Sequence, residues 1–278
     1  MLCFSTPQTL SFQKEINSYY EMHGRNLPWR HTKNPYFIFV SEVMLQQTQV
    51  ERVIVKYGEF VSLYPDFSSL ARADLKDVLS VWQGMGYNRR ALSLVQAART
   101  VMTEFGGQLP ANVEALTTLS GIGKTTASSI CAFAFDMPVV FIETNIRRVY
   151  LHHFFAGREN VSDREIMPLV EHTLDRAYPG KWYHALMDYG AMLKKVIPNP
   201  NTRSVHYRRQ PPFHGSDRQV RGSILRLLLG GSFLSFTDMA EKLPVSPERL
   251  KKILDQLIKE KLVKAQGGES NGHIYSIC

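Results

Sequence analysis

The sequence predicts an all-α body followed by a small unit of three helices and a β-hairpin. Apolar residues recur at three- and four-residue spacing through most of the chain up to Val196, the period of a helix with one buried face. Glycine and proline separate these runs, at Asn26-Leu27-Pro28, Tyr64-Pro65, Gly106-Gly107 and Leu109-Pro110. Each break can end one helix and begin the next. Beyond Asp217 the pattern changes to short helical runs and then two short alternating stretches.

In chain order, the period predicts helices over Leu10–Met22, Tyr36–Phe60, Ser68–Trp82, Ala91–Phe105 and Val113–Leu119. A further helix runs from Lys124 to about Phe135. Val139–Ile142 is β-branched but too short to imply a sheet. Asp163–Ala177 and Trp182–Val196 complete the helical body. His152 and His153 read as a helix end rather than metal ligands, because no acid or cysteine nearby has ligand spacing. Trp29, Trp82 and Cys131 read as packing residues. Ile197–Ser216 holds four prolines and no helical period, and reads as a linker. Between Lys194 and Arg221, seven Lys and Arg stand against one acid, Asp217, which is +6 of the chain's net +8.

Helices over Arg218–Leu229, Phe236–Leu243 and Pro247–Lys259 follow, the last with Ser246 as N-cap and Pro247 in its first turn. Leu262–Gln266 and His273–Ile277 read as strands around a Gly267–Gly272 turn. Three helices and a hairpin make a winged-helix-like pattern. Its recognition helix would be Pro247–Lys259, with Arg249, Lys251, Lys252 and Lys259 as candidates to lie along DNA. The expected divisions are 1–196, a basic linker at 197–216, and 217–278.

The 278 residues are enough for one large domain or two ordinary ones. A hydrophobic share of 44% allows a sizeable core, and the net charge of +8 suits a nucleic-acid partner. Three scattered cysteines (Cys3, Cys131, Cys278) exclude a disulfide framework and a cysteine metal site. The expected setting is a reducing cytoplasm, nucleoid-associated if the source is prokaryotic. No apolar run reaches membrane-spanning length, and the first residues lack the pattern of a signal peptide.

Two segments carry chemistry. Leu119-Ser120-Gly121-Ile122-Gly123 is a tight turn leading into a helix, whose first N–H groups can receive a phosphate. Glu42 sits among apolar neighbours in SEVMLQQTQV, with Gln46 one turn later on the same face. Such an acid tends to keep its proton toward neutral pH. Glu143, in Glu-Thr-Asn, supplies a second carboxylate. Two carboxylates around a sugar suit glycosidic cleavage, one protonating the leaving group and one stabilising the cationic centre.

These segments, together with Leu27-Pro28-Trp29-Arg30, Pro35-Tyr36, Trp82-Gln83-Gly84-Met85-Gly86-Tyr87, Arg89-Arg90-Ala91, Asn145-Ile146-Arg147-Arg148-Val149 and Met187-Asp188-Tyr189-Gly190-Ala191, resemble the helix-hairpin-helix DNA glycosylase superfamily. The likeness spans roughly residues 9–193 and is strongest to MutY-type adenine glycosylases. It implies two helical subdomains, a mispaired or damaged DNA duplex as partner, and a monomer.

The resemblance places Glu42 where the family has the acid that protonates adenine, and Glu143 where it has an Asp. It places Gln46 and Tyr87 at positions that probe and wedge the base stack. Gly121, Ile122, Gly123, Lys124 and Thr125 become the DNA-gripping hairpin. Arg30, Arg89, Arg147, Arg208 and Arg209 are further candidates for DNA contact, and Asp188 for bracing the hairpin helix. Thr125 stands where lyase members carry a nucleophilic Lys, which implies a monofunctional enzyme.

Lys194, Asn201, Ser204 and Gln210 stand where the family has four iron–sulfur cysteines, so no cluster is expected. The loop is expected to persist as a phosphate-contacting surface or as a linker. A winged-helix-like unit is expected where MutY-type enzymes carry a nucleotide-hydrolase-like domain that reads 8-oxoguanine. The expected reaction is adenine excision opposite 8-oxoguanine or guanine. The alternatives are excision of thymine or uracil from guanine mispairs, excision of another damaged base, or a non-catalytic DNA-binding protein.

Overall fold

A computed structural model describes residues 6–231, 233–267 and 273–278. The helices before the linker are α1 (Thr6–His23), α2 (Pro35–Leu45), α3 (Val50–Leu63), α4 (Phe67–Arg72), α5 (Leu75–Val81), α6 (Arg89–Glu104), α7 (Val113–Thr117), α8 (Lys124–Phe135), α9 (Thr144–Phe154), α10 (Asp163–Thr173) and α11 (Pro179–Val196). Then come α12 (Asp217–Gly230), β1 (Leu234–Ser235), α13 (Phe236–Lys242), α14 (Pro247–Lys259), β2 (Val263–Gln266) and β3 (Ile274–Ile277). No helix among the described residues is long and apolar enough to cross a membrane.

Two expected helices are each two. Tyr36–Phe60 breaks after Leu45, because Gln47 turns the backbone left-handed at φ 53°. Ser68–Trp82 breaks at Asp74, whose carboxylate caps α5 by accepting from Lys76 N. His152 and His153 do lie in the last turn of a helix, α9, whose start at Thr144 was not foreseen, nor was strand β1. The Gly267–Gly272 turn, like Cys3, falls at least partly outside the described residues.

The chain forms two compact units. The first comprises the residues up to Glu42, Pro110–Thr118 and Ile122–Arg209. The second comprises Val43–Leu109, Leu119–Gly121 and Gln210–Cys278.

In the first unit α11 packs against both α9 and α1. Phe12 of α1 sets its ring edge-on to Trp182 at 5.9 Å and tilted to Tyr150 at 5.6 Å. Gly190 of α11 has a conformational reason. A Cβ there would lie 2.4 Å from the Asn145 carbonyl oxygen, so only glycine lets the start of α9 approach. The supposed linker is partly built into this unit. Pro200–Arg203 forms a short 3₁₀ helix, and Ser204 bridges Val161. Arg203 donates to the carbonyls of Phe155 and Leu151, which lie at the end of α9.

In the second unit α6 packs on α4 and α5, and α12 packs on α5 and α14. The three strands are antiparallel in the order β1-β3-β2. Helix α14 buries Leu250, Ile253, Leu254 and Leu257, one stripe of a strongly amphipathic helix capped by Ser246. Its outer face mixes Lys251, Lys252 and Lys259 with Glu248 and Asp255. Arg249 pairs with Asp217 at 2.6 Å and donates to the Gly215 carbonyl.

Gly190→Ala is expected to lower urea stability by about 2 kcal/mol or more, since the Asn145 carbonyl is backbone and must move. Gly58→Ala meets no atom within 4 Å in α3, and should be neutral or gain about 0.5–1 kcal/mol. Matched denaturation curves check both.

Candidate active site

Helix α2 (PYFIFVSEVML) is apolar almost all round, as a buried helix must be. Glu42 is its only charged residue. Burial raises the Glu42 carboxyl from its ordinary value to about 7. The hydrogen bond from Ser129 opposes that rise, and the negative charge of Glu143 adds to it. Ser129 Oγ, on α8, lies 2.5 Å from Glu42 Oε2 and 2.9 Å from the Thr126 carbonyl oxygen. One hydroxyl therefore serves both protonation states. It donates to the carboxylate when Glu42 is ionised. When Glu42 is protonated, it accepts from the acid and donates to Thr126.

Glu143 is the N-cap of α9. Its Oε1 accepts from Asn145 N at 2.7 Å and Ile146 N at 2.9 Å, and Oε2 accepts from Asn145 Nδ2 at 3.3 Å. Burial raises its pKa, while these two backbone donors and the nearby Arg148 and Arg147 pull it back down. Bonds from helix N–H groups favour the charged form. Burial thus raises both carboxyls, but only Glu143 is bonded by helix N–H groups, which favour its charged form, so the two sit in different surroundings, as an acid and a stabilising anion would.

Arg148 fixes this corner, and sequence reasoning passed over it. Its Nη1 donates to Asn145 Oδ1 at 2.6 Å and to the Gly190 carbonyl at 2.7 Å. Asn145 in turn holds Glu143. The available signal was spacing: Asn145, Arg148 and the buried Leu151 stand three residues apart and share one face of α9. Asn201, in the register of a cluster cysteine, donates to the Thr144 carbonyl at 2.9 Å. Lys194, Asn201, Ser204 and Gln210 offer no thiolate, so this donor set does not fit an iron–sulfur cluster. Among the described residues, no group of three or more His, Cys, Asp or Glu could hold a metal ion.

The turn before α8 has the expected geometry. Gly121 has φ 77°, and a Cβ there would lie 2.7 Å from Ser93 Cβ. Gly123 is the N-cap of α8, makes no side-chain cap, and has no atom near its missing Cβ. Lys124 and Thr125 are exposed, whereas the Ile122 side chain is buried. What Ile122 offers a ligand is therefore backbone. Gln46 Nε2 donates to the Gly121 carbonyl at 3.1 Å.

Tyr87 is exposed on a left-handed corner, with Gly84, Gly86 and Tyr87 itself at positive φ. Arg90 supports the corner from beneath. Its buried guanidinium donates to the carbonyls of Val43, Met44, Met85 and Gly86 and to Thr48 Oγ1, and stacks on Trp82 at 5.2 Å. Burial lowers its pKa to about 10. Sequence reasoning chose its exposed neighbour Arg89 instead.

Two candidate cations are spoken for. Arg30 is buried, with both Nη atoms 2.8 Å from the Asp188 carboxylate. Arg147 pairs with Asp163 at 2.6 Å. Neither guanidinium is free to meet a phosphate. Asp188 binds Arg25 and Arg30 and does not brace the hairpin helix. Arg208 and Arg209 are exposed.

Residues 40–173 match the model of the HhH-GPD superfamily base excision DNA repair proteins. An adenine DNA glycosylase of Mycobacterium tuberculosis is 32% identical over 239 residues, which are 78% of this chain and 78% of that protein. The chain belongs to this superfamily. An adenine DNA glycosylase of Buchnera aphidicola is 35% identical over 190 residues, 66% of this chain and 53% of the relative. The chain thus spans about half the length of that relative. A solved thermostable thymine-DNA glycosylase superposes with a TM-score of 0.60 at 25% identity, over 67% of this chain and 87% of that one.

The linkage sign for Glu42 is set by its raised pKa. The stability of the protonated carboxyl is complete below its ordinary value of 4.5 and is lost as pH rises through about 7. Glu42→Gln should therefore melt about 3 °C or more above wild type at pH 8.5, with the gap closing by pH 5. Calorimetry across pH measures it.

Proposed function

We propose that the protein is a monofunctional adenine DNA glycosylase, which removes a mispaired adenine opposite 8-oxoguanine or guanine and leaves an abasic site. The single observation that carries this reading is Glu42, an acid poised near neutrality in an apolar helix and hydrogen-bonded by Ser129. Relatives named adenine DNA glycosylase support the choice of base. Duplex DNA carrying the mispair is the partner, held as a monomer–DNA complex in the cytoplasm or nucleoid.

The adenine first leaves the stack, at a cost of a few kcal/mol. Glu42 delivers its proton to a ring nitrogen, and the electron pair of the C1′–N9 bond departs with the base. The Glu143 carboxylate faces the cationic sugar that remains, stabilising it until water adds to C1′. One water proton then returns to the medium or to a carboxylate, and adenine and an abasic site are the products. The N–H groups of the Gly121–Gly123 turn and the start of α8 hold the backbone phosphate. Each of these steps uses side chains and water, with no cluster in the sequence of events.

A second reading exchanges adenine for a pyrimidine opposite guanine. The thymine-DNA glycosylase superposition favours it. A duplex panel separates the two: release of thymine or uracil alone would exclude adenine chemistry.

Glu42→Gln is expected to cut single-turnover adenine release by at least about 10²-fold, the share of a positioned general acid. The wild-type rate should fall as pH rises through about 7, because the working form is protonated. Ser129→Ala should move that midpoint upward, since the lost hydrogen bond favoured the carboxylate.

A further inference from the structure

The hydroxyl of Tyr87 is held by the start of the second unit's last chain segment. Gln210 Nε2 donates to Tyr87 Oη, and Arg218 Nη1 does so at 3.3 Å. Arg218 is itself anchored, by Nη2 to the Pro211 carbonyl at 2.7 Å and by its guanidinium 6.0 Å over the Phe213 ring. Arg90 lies 5.6 Å over the Tyr87 ring. A non-glycine residue at positive φ costs roughly 1–3 kcal/mol, and so needs surroundings that over-determine it. Arg90 and the Gln210–Arg218 strap supply them.

Gln210 is exposed, and one amide N–H is spent on Tyr87. Its second N–H and its Oε1 have no partner in the described structure. The free edge therefore presents a donor and an acceptor side by side, a pair that can read a base edge.

Accepting the adenine glycosylase reading, we propose that Gln210, oriented by Tyr87 and Arg218, reads the purine left opposite the excised adenine. The chemistry selects 8-oxoguanine over guanine. Guanine shows only acceptors, N7 and O6, on its major-groove edge. 8-Oxoguanine carries a hydrogen on N7 between the O6 and O8 carbonyls. The Gln210 carbonyl accepts from that N7–H while its free N–H donates to a flanking carbonyl. Guanine leaves the Gln210 carbonyl facing an acceptor.

Single-turnover adenine release is compared from duplexes with 8-oxoguanine and with guanine opposite, for wild type, Gln210→Ala and Tyr87→Phe. The readout is the ratio of the two rates. Gln210→Ala should lower the ratio by about tenfold, the worth of one good base contact. Tyr87→Phe keeps the ring but loses the anchor, and should lower the ratio in the same direction. Rates that fall in step with the ratio unchanged would show a merely structural role and overturn the inference, as would a wild-type ratio near one. Wild type that releases no adenine from either duplex would overturn the adenine reading, and this inference with it.

Discussion

One constraint organises the candidate site: a single carboxyl must stay in an apolar helix without an ion pair. A buried carboxylate is expensive unless neutralised or bonded. Glu42 meets the difficulty by keeping its proton to about pH 7 and by sharing a hydroxyl with Ser129. The same desolvation that costs stability prepares the group to give up a proton under cellular conditions. Helix α2 therefore has to be apolar for the acid to be useful, and α8 has to present a hydroxyl at that one position.

The chain uses buried guanidinium groups as braces. Arg148 ties Asn145 to the Gly190 carbonyl, and Asn145 orients Glu143. Arg90 gathers backbone carbonyls from the end of α2 and from the corner that carries Tyr87. Arg30 locks onto Asp188. In each case a planar fork of donors satisfies several acceptors at once, which suits it to fix a loop in place. Three of the cations in a basic chain are thus structural, and the charge left for a polyanion lies in exposed residues such as Arg89, Lys124, Arg208 and Arg209.

The sequence made the helical body legible because its period is strong, and Glu42, Glu143 and the Gly121–Gly123 turn were legible because each breaks a local pattern. Other features depended on distant partners. Ser129 lies 87 residues from Glu42, and Asp188 lies 158 from Arg30, so neither pairing leaves a local trace. Arg30 and Arg147 looked like free cations for that reason. The break at Gln47 was hidden because Val43 and Val50, seven residues apart, keep the two-turn apolar spacing across it. Strand β1 is two residues long and exists through its pairing with β3, which no propensity over Leu234–Ser235 encodes. The supposed linker concealed Asn201 and Ser204, whose buried hydrogen bonds follow from packing rather than from composition.

The central claim is that Glu42 is protonated near neutrality because of where it lies. Side-chain carboxyl carbon NMR of glutamate-labelled protein, assigned with Glu42→Gln, measures that proton directly. A midpoint near 7, falling when Glu143→Gln removes the neighbouring negative charge, is the result the structure requires. A midpoint in the ordinary glutamate range, unmoved by Glu143→Gln, would contradict it.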